Sequence, residues 1–425
     1  MNLYISMNHI FGKKMEDRSI EVQFGRVKKT YKIIEDPLPH ILIPCSKKIV
    51  HGWSTGYFSN AGRRECSSER ILLNPYNGCS IDCPMCYSRA LRGYFKLWDD
   101  KGIITVFKDF NMKVLEEVNQ LYVASCGYLS PTIDPFQKPI EDKYHLSEKT
   151  AYEFLKLNLP IVFITKQGDN LPMKLLDKMA EHPHSFCEFT ILSCDDEIRK
   201  IFSPRGAKVE QQFDAVRKAT DRGLYTVVRM DPLFPSITDN ENSIRDLVMR
   251  AKQEGAEHII FSLCDIDSEH LSKIFNIIRE FFPDAYPIWK KIYVEKIGRD
   301  YNASIDYRRK IFKICRNVCD EIGVTMALCM EFEKIFNKKI MFKGLNDEFM
   351  TSKVCEGKIV PLYHRWKLDE QFKPIMNCDG NCLAYAKGRG SCNLTCNFPK
   401  MGRAQALKLE DYKSFRPSQL TLTGI

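Results

Sequence analysis

The chain lacks any stretch that would carry it into or through a membrane. No apolar run in its 425 residues approaches the length of a bilayer span, and the N-terminus shows no apolar segment followed by a cleavage site. Residues 1 to about 70 also hold no repeat and no low-complexity tract. The expectation is a soluble, cytoplasmic protein with no membrane partner. Seventeen cysteines would spell a disulfide framework in a small secreted domain. In a chain of this length without a leader they read as free or metal-bound thiols in a reducing compartment. A hydrophobic content of 44% supports a full-sized core, hence one large domain with additions at its ends. The net charge of +9 permits an anionic partner without demanding one. The basic clusters Lys47-Lys48, Arg63-Arg64, Arg308-Arg309-Lys310 and Lys338-Lys339 are each accounted for by a solvated face.

What is present is a tight cysteine loop. In Leu73-Asn74-Pro75-Tyr76-Asn77-Gly78-Cys79-Ser80-Ile81-Asp82-Cys83-Pro84-Met85-Cys86-Tyr87 the CxxxCxxC spacing presents three thiolates and leaves a fourth position open. Thiolates are the ligands of iron–sulfur clusters, and a cluster iron without a protein ligand binds a small molecule instead. Zinc is the competing reading, but zinc closes its tetrahedron with a fourth Cys or His at a short offset. The nearest histidines, His51 and His145, lie well outside the loop.

The spacing, the aromatic Tyr87 after the last cysteine and the Asn74-to-Gly78 lead-in resemble the radical S-adenosylmethionine (SAM) superfamily. That resemblance implies a [4Fe-4S] cluster on Cys79, Cys83 and Cys86, with SAM chelated at the open iron. It implies one-electron cleavage of the sulfonium to a 5′-deoxyadenosyl radical, and an electron donor such as flavodoxin or ferredoxin.

Beyond the loop, short apolar runs alternate with stretches of helical period, which is the signature of β-α units around a parallel sheet. The runs begin at Ile71 and continue as 121–126, 161–165, 189–193, 225–229, 258–263 and 324–329. Between them lie amphipathic candidates at 147–157, 171–181, 209–222, 240–254 and 268–281, with a further helix at 304–321. Six or seven units give an α/β protein with a partial, (β/α)6-type barrel, also the fold the resemblance implies. Its chemistry belongs at the carboxyl ends of the strands. The expected organisation is an N-terminal extension over 1–70, the barrel over 71–330 and a cysteine-rich module over 331–425.

Within the superfamily, Ser130-Pro-Thr-Ile-Asp-Pro-Phe-Gln-Lys-Pro-Ile-Glu141 is similar to a segment of DNA repair photolyases of the spore photoproduct lyase type. Phe163-to-Lys166 and Arg229-to-Pro232 echo the same branch, and 47–53 looks like its lead-in to the cysteine loop. The resemblance implies that Tyr87 packs on the adenine of SAM, that Lys166 meets its carboxylate, and that Ser193 contacts SAM. Arg229 is expected to reach that carboxylate or an acidic substrate group, a salt bridge on the barrel rim being the alternative for Lys166 and Arg229. Cys126 is expected to return a hydrogen atom to the product radical. Met85 stands where the lyase has a tyrosine, which argues against thymine-dimer reversal as such. The expected substrate is a nucleic-acid base or backbone. The alternatives are a peptide- or protein-modifying radical SAM enzyme with an auxiliary cluster, and a zinc-stapled nucleic-acid-binding protein without SAM chemistry.

The C-terminal region carries Cys378-Asp-Gly-Asn-Cys382 and Cys392-Asn-Leu-Thr-Cys396, two pairs that bring four thiolates within reach of one centre, with Cys355 as a fifth candidate. An auxiliary iron–sulfur cluster or zinc is expected there. Cys187, Cys194, Cys264, Cys315, Cys319 and Cys329 read as packing residues.

Overall fold

The computed structural model describes residues 18–24, 27–46, 48–50, 70–337, 339–376, 378 and 408–416. Its centre is a parallel sheet of seven strands in strictly sequential order: β1 (Ile71–Leu73), β2 (Gly127–Leu129), β3 (Ile161–Thr165), β4 (Phe186–Thr190), β5 (Tyr225–Leu233), β6 (His258–Leu263) and β7 (Thr325–Leu328). Sequential parallel order means that every crossover steps in the same direction. Because such crossovers are right-handed, the helices collect on one face and the other face becomes an interior. Side-chain alternation bears this out. Ile71, Leu73, Leu129, Ile161, Phe163, Phe189, Val228, Met230, Ile259, Phe261 and Met326 join the helices in one large apolar cluster. Leu72, Tyr128, Val162, Phe186, Val227 and Ile260 form a second cluster on the opposite face.

The helices form where the sequence places their caps. Asn240 opens the helix Glu241–Gln253 by accepting the Ser243 amide at 3.0 Å. Asp195 does the same for Asp196–Phe202 through the Glu197 amide at 2.8 Å. Ile305–Ile322 ends on Gly323 in the left-handed conformation. The six helical stretches read from the sequence appear at these positions, with ends shifted by a few residues.

One strand departs from the expectation. The apolar run 121–126 does not enter the central sheet; Val123–Ala124 pairs antiparallel with Tyr363–His364, and β2 starts only at Gly127. Apolar content marks burial but not the partner. Here the burying surface is a C-terminal strap, on which Arg365 donates to the carbonyls of Val118, Asn119 and Leu121. The strap also carries Glu356, which pairs with Arg70 at 2.5 Å, both side chains fully buried. The amino-terminal end of the barrel is thereby closed.

At the opposite end a two-stranded hairpin leaves the barrel, β8 (Phe332–Asn337) with β9 (Lys339–Gly344). A smaller sheet, His40–Pro44, Ile104–Lys108 and Tyr76–Asn77, backs the cysteine loop. No described helix is long and apolar enough to cross a membrane.

Candidate active site

The cysteine loop leaves the carboxyl end of β1 and is held in shape by side chains from the segment 130–141. Gln137, fully buried, accepts the Ser80 amide at 2.8 Å and donates to the Gly78 carbonyl at 3.2 Å, clamping both sides of Cys79. Glu141 accepts the Tyr76 hydroxyl, and its carboxylate is anchored by the amides of Ser147 and Glu148. Burial raises the Glu141 carboxyl to about 7, against those donors. Asn74 accepts the Thr132 hydroxyl at 2.7 Å, and Ser88 donates to the Thr132 carbonyl at 2.6 Å. Gly78 is required twice over: its φ is +99°, and a Cβ there would lie 2.6 Å from the Trp98 ring. Arg89 stacks on the same indole, 4.4 Å from its centroid, while its Nε donates to the Cys83 carbonyl at 3.1 Å.

Cys79, Cys83 and Cys86 share one apolar cluster with Tyr76, Ile81, Phe95, Trp98 and Ile133. Burial pushes the Cys79 thiol well up, and the Asp134 carboxylate and the two neighbouring thiols push the same way. Cys83 is raised by burial, with the Lys166 ammonium opposing, and its sulfur lies 3.7 Å from the Ser203 hydroxyl. Three thiols gathered in one apolar cluster suit a group supplying positive metal centres, and three is the donor count that leaves one corner of a cubane open. By donor type and number the three cysteines fit a [4Fe-4S] cluster, while no three such side chains among the described residues are grouped to hold a single metal ion.

The other predicted positions fall at different depths. Tyr87 starts the short helix Tyr87–Ala90; its ring is 47% exposed and its hydroxyl donates to the Pro131 carbonyl at 2.6 Å. Lys166 follows the last residue of β3. Its amide donates to Asp134 at 2.6 Å, its ammonium makes no ion pair among the described residues, and it borders a small pocket with Thr190, Arg199, Ser203 and Gln212. Asp134, whose carboxyl burial raises to about 6, also takes the Thr165 hydroxyl at 2.9 Å, so it fixes the end of β3. Ser193 is buried three residues beyond β4 and accepts the Asp195 amide at 3.0 Å.

Arg229 on β5 is ion-paired on two sides: Nη1 reaches Glu188 at 2.7 Å, and Nε and Nη2 both meet Asp231. The sequence left a salt bridge on the barrel rim as the alternative for Arg229; the ion pair with Glu188 lies buried instead. Burial opposes ionisation of Asp231, but Arg229 and the Ser262 hydroxyl outweigh it and hold the carboxyl below its usual range. Asp265 is open to water yet deep in the concave mouth, where desolvation and the carboxylates of Asp300, Glu331 and Asp231 raise it to about 8.

Cys126 does not stand at the end of a strand. It precedes β2, at the amino-terminal end, with its sulfur 3.4 Å from the Gly127 carbonyl and its side chain among Leu72, Tyr128, Val162 and Phe186. Three residues of strand place it about 10 Å below the carboxyl end. At the mouth stands Cys329, one residue past β7 and within electrostatic reach of Asp231, Arg229 and Tyr87; Cys264, one residue past β6, is buried. Sequence reasoning took Cys329 for packing because it closes an apolar run; only the topology reveals which end of the strand it occupies. Gln137, Asp134 and Glu141 were also missed as supports, although all three lie in a segment the sequence already singled out.

Of the C-terminal cysteines, Cys355 is buried and its carbonyl accepts a bond with His258 Nε2 at 3.1 Å. Cys378 accepts the Leu362 amide at 3.4 Å. Cys382, Cys392 and Cys396 lie outside the described residues, as does most of 47–53.

A parallel, sequentially wound sheet with three thiols at its carboxyl end defines a class, and comparison with known proteins agrees. Residues 73–248 match the family model described as the Radical SAM superfamily. It is similar to a radical SAM Nα-GlyT isomerase of Pseudomonas phage M6, with 26% identity over 94% of this chain and 82% of the relative. Among solved structures, spore photoproduct lyase complexed with dinucleoside spore photoproduct aligns over 68% of this chain and 82% of its own, at 13% identity and a TM-score of 0.46. A form of that lyase with bound AdoMet and the same dinucleoside aligns over 63% and 78%, at 14% identity and a TM-score of 0.45.

Proposed function

We propose that the protein is a radical SAM isomerase that binds its cluster through Cys79, Cys83 and Cys86 and acts on a compound carrying a nucleic-acid base. The observation that carries the reaction type is the full-length similarity to a radical SAM Nα-GlyT isomerase, over 94% of this chain. The base is supported by the photolyase-like segments and by the net charge of +9.

When bound, the cluster supplies the electron that splits SAM and releases a carbon radical able to take hydrogen from the substrate. The chain's own residues hold and shield. Lys166, with no carboxylate partner among the described residues, is available for the methionyl carboxylate, a charge-assisted contact that strengthens as water is excluded. Tyr87 offers an accessible aromatic face to the adenine, and Ser193, beyond the end of β4, is a candidate contact to SAM. Arg229 acts through Asp231 and Glu188: both carboxylates already balance its charge, so it fixes the Asp231 carboxylate at the mouth instead of seizing an anion. Isomerisation is redox-neutral, so the hydrogen removed from one carbon is replaced at another. Cys329 is a thiol at the mouth suited to that return: its S–H hydrogen would pass to the product radical, and the thiyl left behind would take back the hydrogen held by 5′-deoxyadenosine, so that no further oxidant or reductant is needed; Cys126 occupies the floor.

Anaerobically reconstituted enzyme, reduced with dithionite and supplied with SAM and Nα-GlyT, tests the reading by chromatography and mass. An isomer of unchanged mass, dependent on SAM, is expected. A product of changed mass would overturn the isomerase assignment.

A further inference from the structure

We propose that the hairpin β8–β9 is a polynucleotide-docking element that presents a strand to the barrel mouth, with Phe336 as a platform for an unstacked base. The inference rests on the nucleic-acid reading above and deepens it, since it says that the base is met within a polymer.

Position is the first argument. Only Cys329, Met330 and Glu331 separate the carboxyl end of β7 from the hairpin. Its base is pinned at the mouth: Glu331 accepts the Leu263 amide at 2.7 Å and the Arg308 guanidinium at 3.1 Å, and Arg308 also reaches the Phe332 carbonyl at 2.7 Å. Leu345 closes the base by donating to the Glu331 carbonyl at 2.9 Å. Strands of six residues then reach about 20 Å from that anchor.

The second argument is what the hairpin exposes. Phe336 is 81% exposed and faces Ile340, 53% exposed, directly across the ladder. Ile335, on the other face of the ribbon, is 37% exposed. A lone surface aromatic needs no explanation, but a contiguous apolar tip on a projecting two-stranded ribbon is unfavourable in water unless something covers it.

Charge identifies the occupant. The segment 332–344 contains Lys334, Lys338, Lys339 and Lys343 against a single acid, Glu333, and Glu333 is already paired with Arg309 at 3.0 Å. Lys334 and Lys343 are exposed and make no ion pair among the described residues. An aromatic tip flanked by unneutralised lysines matches a base face beside a phosphate backbone, where stacking tolerates any base and the backbone supplies the salt-dependent attraction.

Fluorescence anisotropy with a labelled single-stranded DNA oligonucleotide tests this on the full-length reconstituted enzyme, alongside 5′-deoxyadenosine formation. Phe336→Ala is expected to weaken binding about ten- to a hundred-fold, and Lys334→Gln with Lys343→Gln to reduce the slope of log K against log salt by about two. Deoxyadenosine formation without substrate should be unchanged in both. Wild-type affinity in Phe336→Ala would overturn the proposal. So would hairpin-dependent capture by phosphatidylserine vesicles in place of DNA, which would make the tip a membrane contact. Absence of deoxyadenosine from wild-type enzyme would strike the radical SAM reading instead, so the two failures are distinguishable.

Discussion

At the amino-terminal end of the barrel Arg70 and Glu356 pair out of reach of water, beneath a strap whose Tyr363–His364 strand adds to Val123–Ala124. At the carboxyl end Arg229 is as deeply buried, yet its carboxylate partner Asp231 is partly open, and Tyr87, Lys166 and Cys329 are accessible around it. Both ends use an arginine held by carboxylates. The floor uses its polar groups for closure, whereas the mouth leaves Asp231 and Lys166 partly exposed. The same side-chain type thus serves stability or chemistry according to the end of the strand from which it projects.

The contrast is broken most severely at the mouth. Cys83→Ala should reduce deoxyadenosine formation to background while far-UV circular dichroism stays that of wild type, because the loop is also held by Gln137, Glu141 and Arg89. An active Cys83→Ala enzyme would remove the cluster from the account. At the floor, Arg70→Met leaves Glu356 buried without its partner and should cost about 3–5 kcal/mol in denaturant unfolding, with deoxyadenosine yield per folded molecule unchanged.

His258 sharpens the same comparison through pH. It bonds Thr325 and the Cys355 carbonyl inside the barrel, and burial pulls its imidazole down to about 4. The unfolded chain therefore binds a proton from about pH 6.5 downward while the folded chain does not. The stability contributed by neutral His258 is present above pH 6.5 and is lost as pH falls toward 4, to the extent of about 3 kcal/mol. The difference in unfolding free energy between wild type and His258→Gln should vary over that window and be flat above it.

Smaller effects follow. Lys166→Ala should raise the KM for SAM by about ten- to a hundred-fold with little change in kcat, as expected for loss of one charged hydrogen bond. Equal kcat loss instead would place Lys166 on the substrate. Smallest is the pair of thiols: Cys329→Ala should shift turnover from isomer toward abortive deoxyadenosine, whereas Cys126→Ala should cost about 1 kcal/mol of stability and leave the products alone. The reverse pattern would return the hydrogen-donor role to Cys126.

The cysteine loop, six of the seven strands and the helices between them were legible because each rests on local chemistry: ligand spacing, β-branched runs, caps. What the sequence hid was direction and partner. Cys126 and Cys329 both border apolar runs, and nothing in either run says which end of the barrel it occupies, since that depends on strand pairing far along the chain. Val123–Ala124 looked like a barrel strand because burial under a strap and burial in a sheet require the same residues. Gln137 carries no signal of its own; its amide becomes a clamp only when the fold sets it beside Gly78 and Ser80.

The most direct test is electron paramagnetic resonance of the dithionite-reduced, anaerobically reconstituted protein with and without SAM. The account predicts a [4Fe-4S]⁺ signal whose g-values shift on adding SAM, and no such signal in Cys79→Ala, Cys83→Ala or Cys86→Ala. A wild-type spectrum without the cubane signal, or one indifferent to SAM, would contradict it.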